Sequence, residues 1–169
     1  IPAGNKKTRN KVITREFVQK KGKPFNKFLV RRSVERVYNL GFFDDVNVRM
    51  LPGEQDPNNV IIEIDVLEHK TGTITLGAGY SKSDGLMGIV EFGEDNFRGT
   101  GDKFKVHWEI GGKKKYKNYQ ISYLKPWIDS KGTSLGFSFF NREDEYTDYN
   151  EDGNEVAEYN KKSRGFNIS

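Results

Sequence analysis

After Glu68 the spacing of apolar residues changes, and this change limits what the chain can become. Before it, Leu29, Val30, Val34, Val37 and Tyr38 recur at intervals of three and four, the period of an amphipathic helix. From Thr71 onward no helical period recurs. Apolar and polar residues alternate instead, in runs of about 9–12 residues separated by turn signals. A chain written this way has an α+β first part and an antiparallel all-β second part.

The first part reads helix, helix, strand, strand. Asn10 or Thr8 is placed to cap a helix through Val12, Ile13 and Phe17, and Gly22 and Pro24 end that region. Asn26 is placed to cap a second helix, whose other face carries Arg31, Arg32, Glu35 and Arg36. That basic face suits solvent, lipid headgroups or a partner. Gly41 suits the left-handed position just past a helix end. In "YNLGFFDDVNV" (38–48), at least one of Phe42 and Phe43 is expected to tie helix to sheet. Val46 and Val48 begin one strand, and Val60, Ile62, Ile64 and Val66 form another, with a turn across Pro52–Asn59. The expected core is Val34, Val37, Tyr38, Phe43, Val46, Ile62 and Ile64.

The second part reads as six strands. The first is Gly72, Thr73, Ile74, Thr75, Leu76, Gly77, Ala78, Gly79, Tyr80 and Ser81, followed by a turn at Ser83-Asp84-Gly85. Leu86–Glu94, Lys103–Gly111, the run through Tyr119, Ile121 and Tyr123, the run Leu135–Phe139, and Arg164–Ser169 follow. Asn96–Gly101 and Gly112–Lys115 read as turns, Pro126–Gly132 as a loop, and the polar stretch Arg142–Lys162 as a long solvent-facing loop. One face of these strands is apolar: Phe104, Val106, Trp108, Ile110, Leu135, Phe137 and Phe139. The other carries Gly, Ser and Thr with Lys103, Lys105, His107 and Glu109. Two environments fit. In a soluble barrel the apolar face is the core, whereas in an outer-membrane barrel it meets lipid. Strand length and mid-strand charges favour the membrane. Trp108, Trp127, Tyr119 and Tyr123 would then mark the membrane interface.

Composition excludes some chemistry. There is no cysteine, so neither disulfides nor thiolate metal sites arise. The net charge of +4 is too modest to argue for nucleic acid. His69 and His107 lack a matching ligand cluster, and the glycine pairs 77/79 and 99/101 lack the helix and Lys-Ser/Thr of a phosphate loop. The sequence offers no catalytic set, no metal site and no cofactor, so the expectation is a protein that is not an enzyme.

Four segments, in order, resemble one family. "GNKKTRNKVITREFVQKKGKPFNKFLVRRSVERVYNLGFFDDVNV" is similar to the last POTRA domain of the BamA-type outer-membrane protein assembly factors. "TGTITLGAGYSKSDGLMGIVEF", "EDNFRGTGDKF" and "YLKPW" resemble the opening strands and turns of that family's barrel. The resemblance implies an α+β POTRA domain (1–69, its first strand largely missing) followed by an antiparallel transmembrane β-barrel segment (70–169), about six of sixteen strands. It implies assembly and insertion of β-barrel proteins in the outer membrane, with the POTRA domain in the periplasm. The mechanism would be strand addition at the POTRA edge and at Gly72–Ser81, the lateral gate. The implied partners are unfolded outer-membrane proteins, outer-membrane lipid and accessory periplasmic lipoproteins. The same fold also serves a TamA-like or two-partner secretion transporter. A soluble periplasmic β-rich binding module is the reading from another class. The small strand count implies a fragment of a longer protein, or a short form that closes its barrel by oligomerising.

Overall fold

A computed structural model describes residues 1–53, 59–82, 85–112, 116–150 and 155–169. By packing, the chain forms two units: Ile1–Thr71 with Asp95–Asp102, and Gly72–Glu94 with Lys103–Ser169. A division after residue 69 leaves 95–102 with the second part, whereas their contacts lie in the first.

The first unit contains β1 (Pro2–Ala3), α1 (Asn10–Arg15), α2 (Lys27–Tyr38), β2 (Phe43–Pro52) and β3 (Val60–Glu68). The strands form one sheet in the order β1-β3-β2, with β1 parallel to β3 and β2 antiparallel to it. The two-residue β1 pairs Pro2 with Ile64 and Ala3 with Asp65. Helix α2 starts as its sequence dictates, since the Asn26 side chain accepts from the Phe28 and Leu29 amides. Helix α1 does not. Its N-cap is Arg9, with no side-chain cap, so neither Asn10 nor Thr8 takes that role. Thr8 is instead buried and bonded elsewhere.

The core joins Val12 and Ile13 of α1, Val37 of α2, Phe42 and Phe43, Val46 of β2, and Ile64 and Val66 of β3. Val34 and Ile62 pack at its margin. Gly41 has φ 70° and turns the chain so that both phenylalanines enter, their rings edge-on at 6.2 Å. Tyr38 corrects the expected core, because it is 53% exposed. Val30, Ser33 and Val37 form the inward line of α2, and Tyr38 lies about 100° around the helix from Val37. Ser33 was illegible as core because it is polar. Its hydroxyl donates to the Leu29 carbonyl (2.7 Å) and accepts from the Val18 amide (2.9 Å), which satisfies it in burial. Arg36, expected on a solvated face, donates through Nε and Nη2 to buried Glu16 at 3.1 and 2.9 Å.

The second unit is one antiparallel sheet in chain order: β4 (Gly72–Ser81), β5 (Gly85–Phe97), β6 (Asp102–Gly111), β7 (Tyr116–Lys125), β8 (Leu135–Tyr149) and β9 (Glu155–Ile168). Strand β5 runs on to Phe97, so its last residues belong to the first unit. The larger correction is Arg142–Lys162. It is not a loop: β8 has 15 residues and β9 has 14, paired from Phe137↔Ile168 to Tyr149↔Glu155. Polar strands need no apolar face where cross-strand pairs hold them. Lys162 meets Glu143 at 3.2 Å, and Tyr146 stacks on Tyr159 at 5.3 Å. The turns read at 83–84 and 113–115, the middle of the 52–59 turn, and the tip at 151–154 lie outside the described residues.

Phe43→Ala should destabilise the first unit by about 3–5 kcal/mol, and Tyr38→Ala by no more than about 0.5 kcal/mol. Hydrogen exchange at the Ile13 and Val37 amides reads both effects, and equal loss of protection would contradict this core.

Candidate functional site

In the sheet formed by the described residues, strand β4 is an edge. Its hydrogen-bonded neighbour is β5, paired without a break from Gly72↔Glu94 to Ser81↔Gly85. The direction of its backbone groups follows from one bond. The Asp95 amide donates to the Thr71 carbonyl at 3.3 Å, so 71↔95 is a hydrogen-bonded pair. Bonded and non-bonded pairs alternate, so Thr73, Thr75, Gly77 and Gly79 bond β5. The N–H and C=O groups of Gly72, Ile74, Leu76, Ala78 and Tyr80 therefore point outward along the edge. These residues also carry the exposed apolar side chains of the strand, Ile74, Leu76 and Tyr80. An incoming strand would meet five residues that combine backbone donors and acceptors with an apolar face.

That face continues across the sheet. Register sets Ile74 against Phe92, Leu76 against Val90 and Tyr80 against Leu86. Phe92 meets Phe104 edge-on at 6.4 Å. Phe104 then lies opposite Tyr123, Val106 opposite Ile121, and Trp108 opposite Tyr119. Phe137 and Phe139 pair with Tyr123 and Ile121 on one side and with Ile168 and Phe166 on the other. Trp108, Ile110, Phe137 and Phe139 are exposed, and Phe104, Val106 and Leu135 are half-buried. On the opposite face His107 Nδ1 lies 3.4 Å from Glu91 Oε2. Among the described residues no group of three His, Cys, Asp or Glu side chains is placed to hold a metal.

Sequence reasoning gave no role to a second cluster. Glu68, at the end of β3, accepts from the amides of Lys6 and Lys7 at 2.8 Å each and of Thr8 at 2.6 Å. Thr8 Oγ1 accepts from Asn96 Nδ2 at 2.8 Å, and Asn96 Oδ1 accepts from the Gly101 amide at 2.9 Å. The Arg9 amide, at the start of α1, donates to the Gly99 carbonyl at 2.9 Å. The turn 98–101 is thus fastened to the loop before α1. It approaches so closely that only glycine serves. Gly99 and Gly101 have φ 72° and 73°. A Cβ on Gly99 would overlap the Lys7 carbonyl, and one on Gly101 would sit 2.6 Å from Arg15 Nη2. Asn96 is 1% exposed. The available sequence signal was a polar Asn ahead of two glycines, which reads equally as an ordinary turn.

Charge is tuned here. Burial works to raise the Glu68 pKa, but hydrogen bonds from the Thr8 side chain and the Lys7, Thr8 and Lys6 amides outweigh it and hold the carboxyl below its usual range. Burial pulls the Arg15 guanidinium down, opposed by Glu16 and Asp102.

The two units define a class of protein, a POTRA domain running into an outer-membrane-type β-sheet. The POTRA family model, described as a surface antigen variable number repeat, matches residues 2–69, and the Omp85 superfamily domain matches residues 96–169. The chain belongs to this POTRA-bearing Omp85 superfamily. Within it, the chain is 32% identical over 139 residues to the outer membrane protein assembly factor BamA of Neisseria meningitidis serogroup B, covering 82% of this chain and 17% of that protein. It is 31% identical over 157 residues to BamA of Neorickettsia risticii, covering 93% of this chain and 20% of that one. The crystal structure of BamA from Haemophilus ducreyi lacking POTRA domains 1-3 superposes with a TM-score of 0.74 at 26% identity, over 85% of this chain and 27% of that one. The chain therefore spans well under a third of these relatives.

The Glu68 cluster predicts a pH response of fixed sign. A carboxyl whose folded pKa is depressed adds stability above its unfolded pKa of about 4.3, and that stability is lost as pH falls through the folded value. Acidification below about pH 4 should therefore loosen residues 6–8, read by hydrogen exchange at the Thr8 amide. Glu68→Gln should remove that pH dependence and lower protection at neutral pH. Asn96→Ala leaves the Gly101 amide unpaired in burial and should cost about 1–3 kcal/mol. A pH profile unchanged by Glu68→Gln would contradict this account.

Proposed function

We propose that the protein containing this chain assembles β-barrel proteins and inserts them into the outer membrane, without catalysis. The observation that carries the reading is the β4 edge, where outward backbone groups and outward apolar side chains belong to the same residues. A substrate strand adds there by backbone hydrogen bonds, and its side chains extend the apolar face. The driving force is burial of substrate strands in lipid, so no cofactor or nucleotide enters. In this reading Phe104, Val106, Trp108, Ile110, Leu135, Phe137 and Phe139 face lipid. The POTRA domain stands in the periplasm and offers its own β2 edge to unfolded outer-membrane proteins and accessory lipoproteins. The names of the BamA relatives support the same reading.

Ala78→Pro tests it. Ala78 points its N–H away from β5, so proline removes an edge donor and leaves the β4–β5 bonds in place. The full-length protein carrying this change should fold its POTRA domain and yet lower the steady-state levels of many outer-membrane proteins in a depletion strain. Normal levels would sink the gate role, and loss of one exported protein alone would point to a dedicated transporter.

A further inference from the structure

Between Glu16 and Glu35 the chain holds no acidic residue and six cations: Lys20, Lys21, Lys23, Lys27, Arg31 and Arg32. All six are exposed. Among the described residues only Arg31 of the six has an ion-pair partner, Glu35 at 3.1 Å. Two aromatic side chains stand among them. Phe28, in the first turn of α2, is 82% exposed, and Phe25 is 45% exposed. Neither ring belongs to the core cluster of this unit.

The loop that presents these side chains is held in shape. Gln19 is buried, and its Nε2 lies within 3.4 Å of the Lys20 and Lys23 carbonyls and 3.1 Å of the Pro24 carbonyl. Its Oε1 accepts from the Asn26 amide at 3.2 Å. The Lys23 amide closes a turn onto the Lys20 carbonyl at 3.3 Å, with Gly22 at φ 75°. Asn26 then caps α2. One side chain thus pins both limbs of the loop, and the Lys and Phe side chains are left on the outside.

We propose that this Lys20–Phe28 loop docks on an anionic lipid bilayer surface. Lysines on flexible stems suit mobile phosphate headgroups that offer no fixed geometry. Phenylalanine tips between them suit the boundary of headgroup and acyl chain. The second unit supplies the reason to choose lipid over an acidic protein. Its sheet exposes a broad apolar face, which under the proposed function meets lipid, so a bilayer surface neighbours the molecule in that reading. The loop takes no part in strand addition; its docking on lipid rests on the membrane reading of the second unit, and the test reads docking without assembly activity.

These 169 residues hold no cysteine, so in full-length protein with any other cysteine replaced, F28C places a single environment-sensitive dye at the tip of the loop. The protein is reconstituted in nanodiscs of phosphatidylcholine alone or mixed with phosphatidylglycerol. In mixed discs the dye should shift to the blue and become shielded from an aqueous quencher, and added salt should reverse both effects. K20E/K21E/K23E should reduce the shielded fraction ratio at least about tenfold, and K20Q/K21Q/K23Q should give an intermediate value. A dye at D44C should report no lipid dependence. Unchanged exchange protection at Val37 confirms that each variant is folded. Equal signals in the two discs, shielding that survives K20E/K21E/K23E, or shielding that needs an added acidic protein would each overturn the proposal.

Discussion

A β-strand in hydrocarbon has no water to satisfy its backbone, so each edge it exposes must find another strand. This constraint is the one the proposed function places on the second unit. Within β5 to β8 every strand has neighbours on both sides, while β4 has one described neighbour and presents five residues with outward backbone groups. The same pleat that sends those groups outward sends Ile74, Leu76 and Tyr80 to the apolar face. Under the proposed function, a strand added at β4 would thereby also be set in register with respect to lipid, because a slip of one residue would turn its apolar side chains to the wrong face.

The first unit meets a different constraint, the burial of polar groups. Thr8, Asn96 and Asp102 are all buried. Asn96 is bonded through both ends of its amide, and Glu68 gathers three consecutive backbone amides. A network of this kind tolerates little change, because each broken bond strands a buried partner. It also explains why β5 and β6 end inside this unit. The turn between them closes on the loop before α1 at Gly99, which lies against Lys7, and on α1 itself at Gly101, which lies against Arg15 and Val12. A polar network therefore complements the apolar core: one fastens a turn to a loop, the other joins helices to sheet.

What was legible in the sequence was what periodicity and caps encode. The change of period after Glu68, the Asn26 cap, the Gly41 turn and the order of strands all follow from local spacing. The misreadings share a cause. Tyr38 is apolar and nearly in phase, and only the rotation fixed by Val30, Ser33 and Val37 shows that it points away. Arg142–Lys162 is mostly polar, with no sustained apolar alternation, so its strands are visible only through cross-strand partners such as Glu143 with Lys162. The Thr8–Asn96 bond joins residues far apart in sequence, and no spacing rule reaches that distance. Pairings between distant segments are the part of a fold that a single sequence encodes least openly.

The glycines of β4 carry one more step. Gly77 lies opposite Ile89, Ala78 opposite Gly88, and Gly79 opposite Met87, so three consecutive cross-strand pairs each contain a glycine. Cross-strand side-chain contacts are a main source of sheet stability, and here they are thin in the middle of the strand. A Cβ added at Gly79 would meet nothing within 4 Å, so steric crowding does not require glycine at that position. Curvature alone would ask for a glycine where the sheet bends, not for depleted packing across three successive pairs. A strand held to β5 by backbone bonds with weak side-chain support keeps its register while remaining easy to distort. That combination suits the strand exchange that the proposed function asks of this edge.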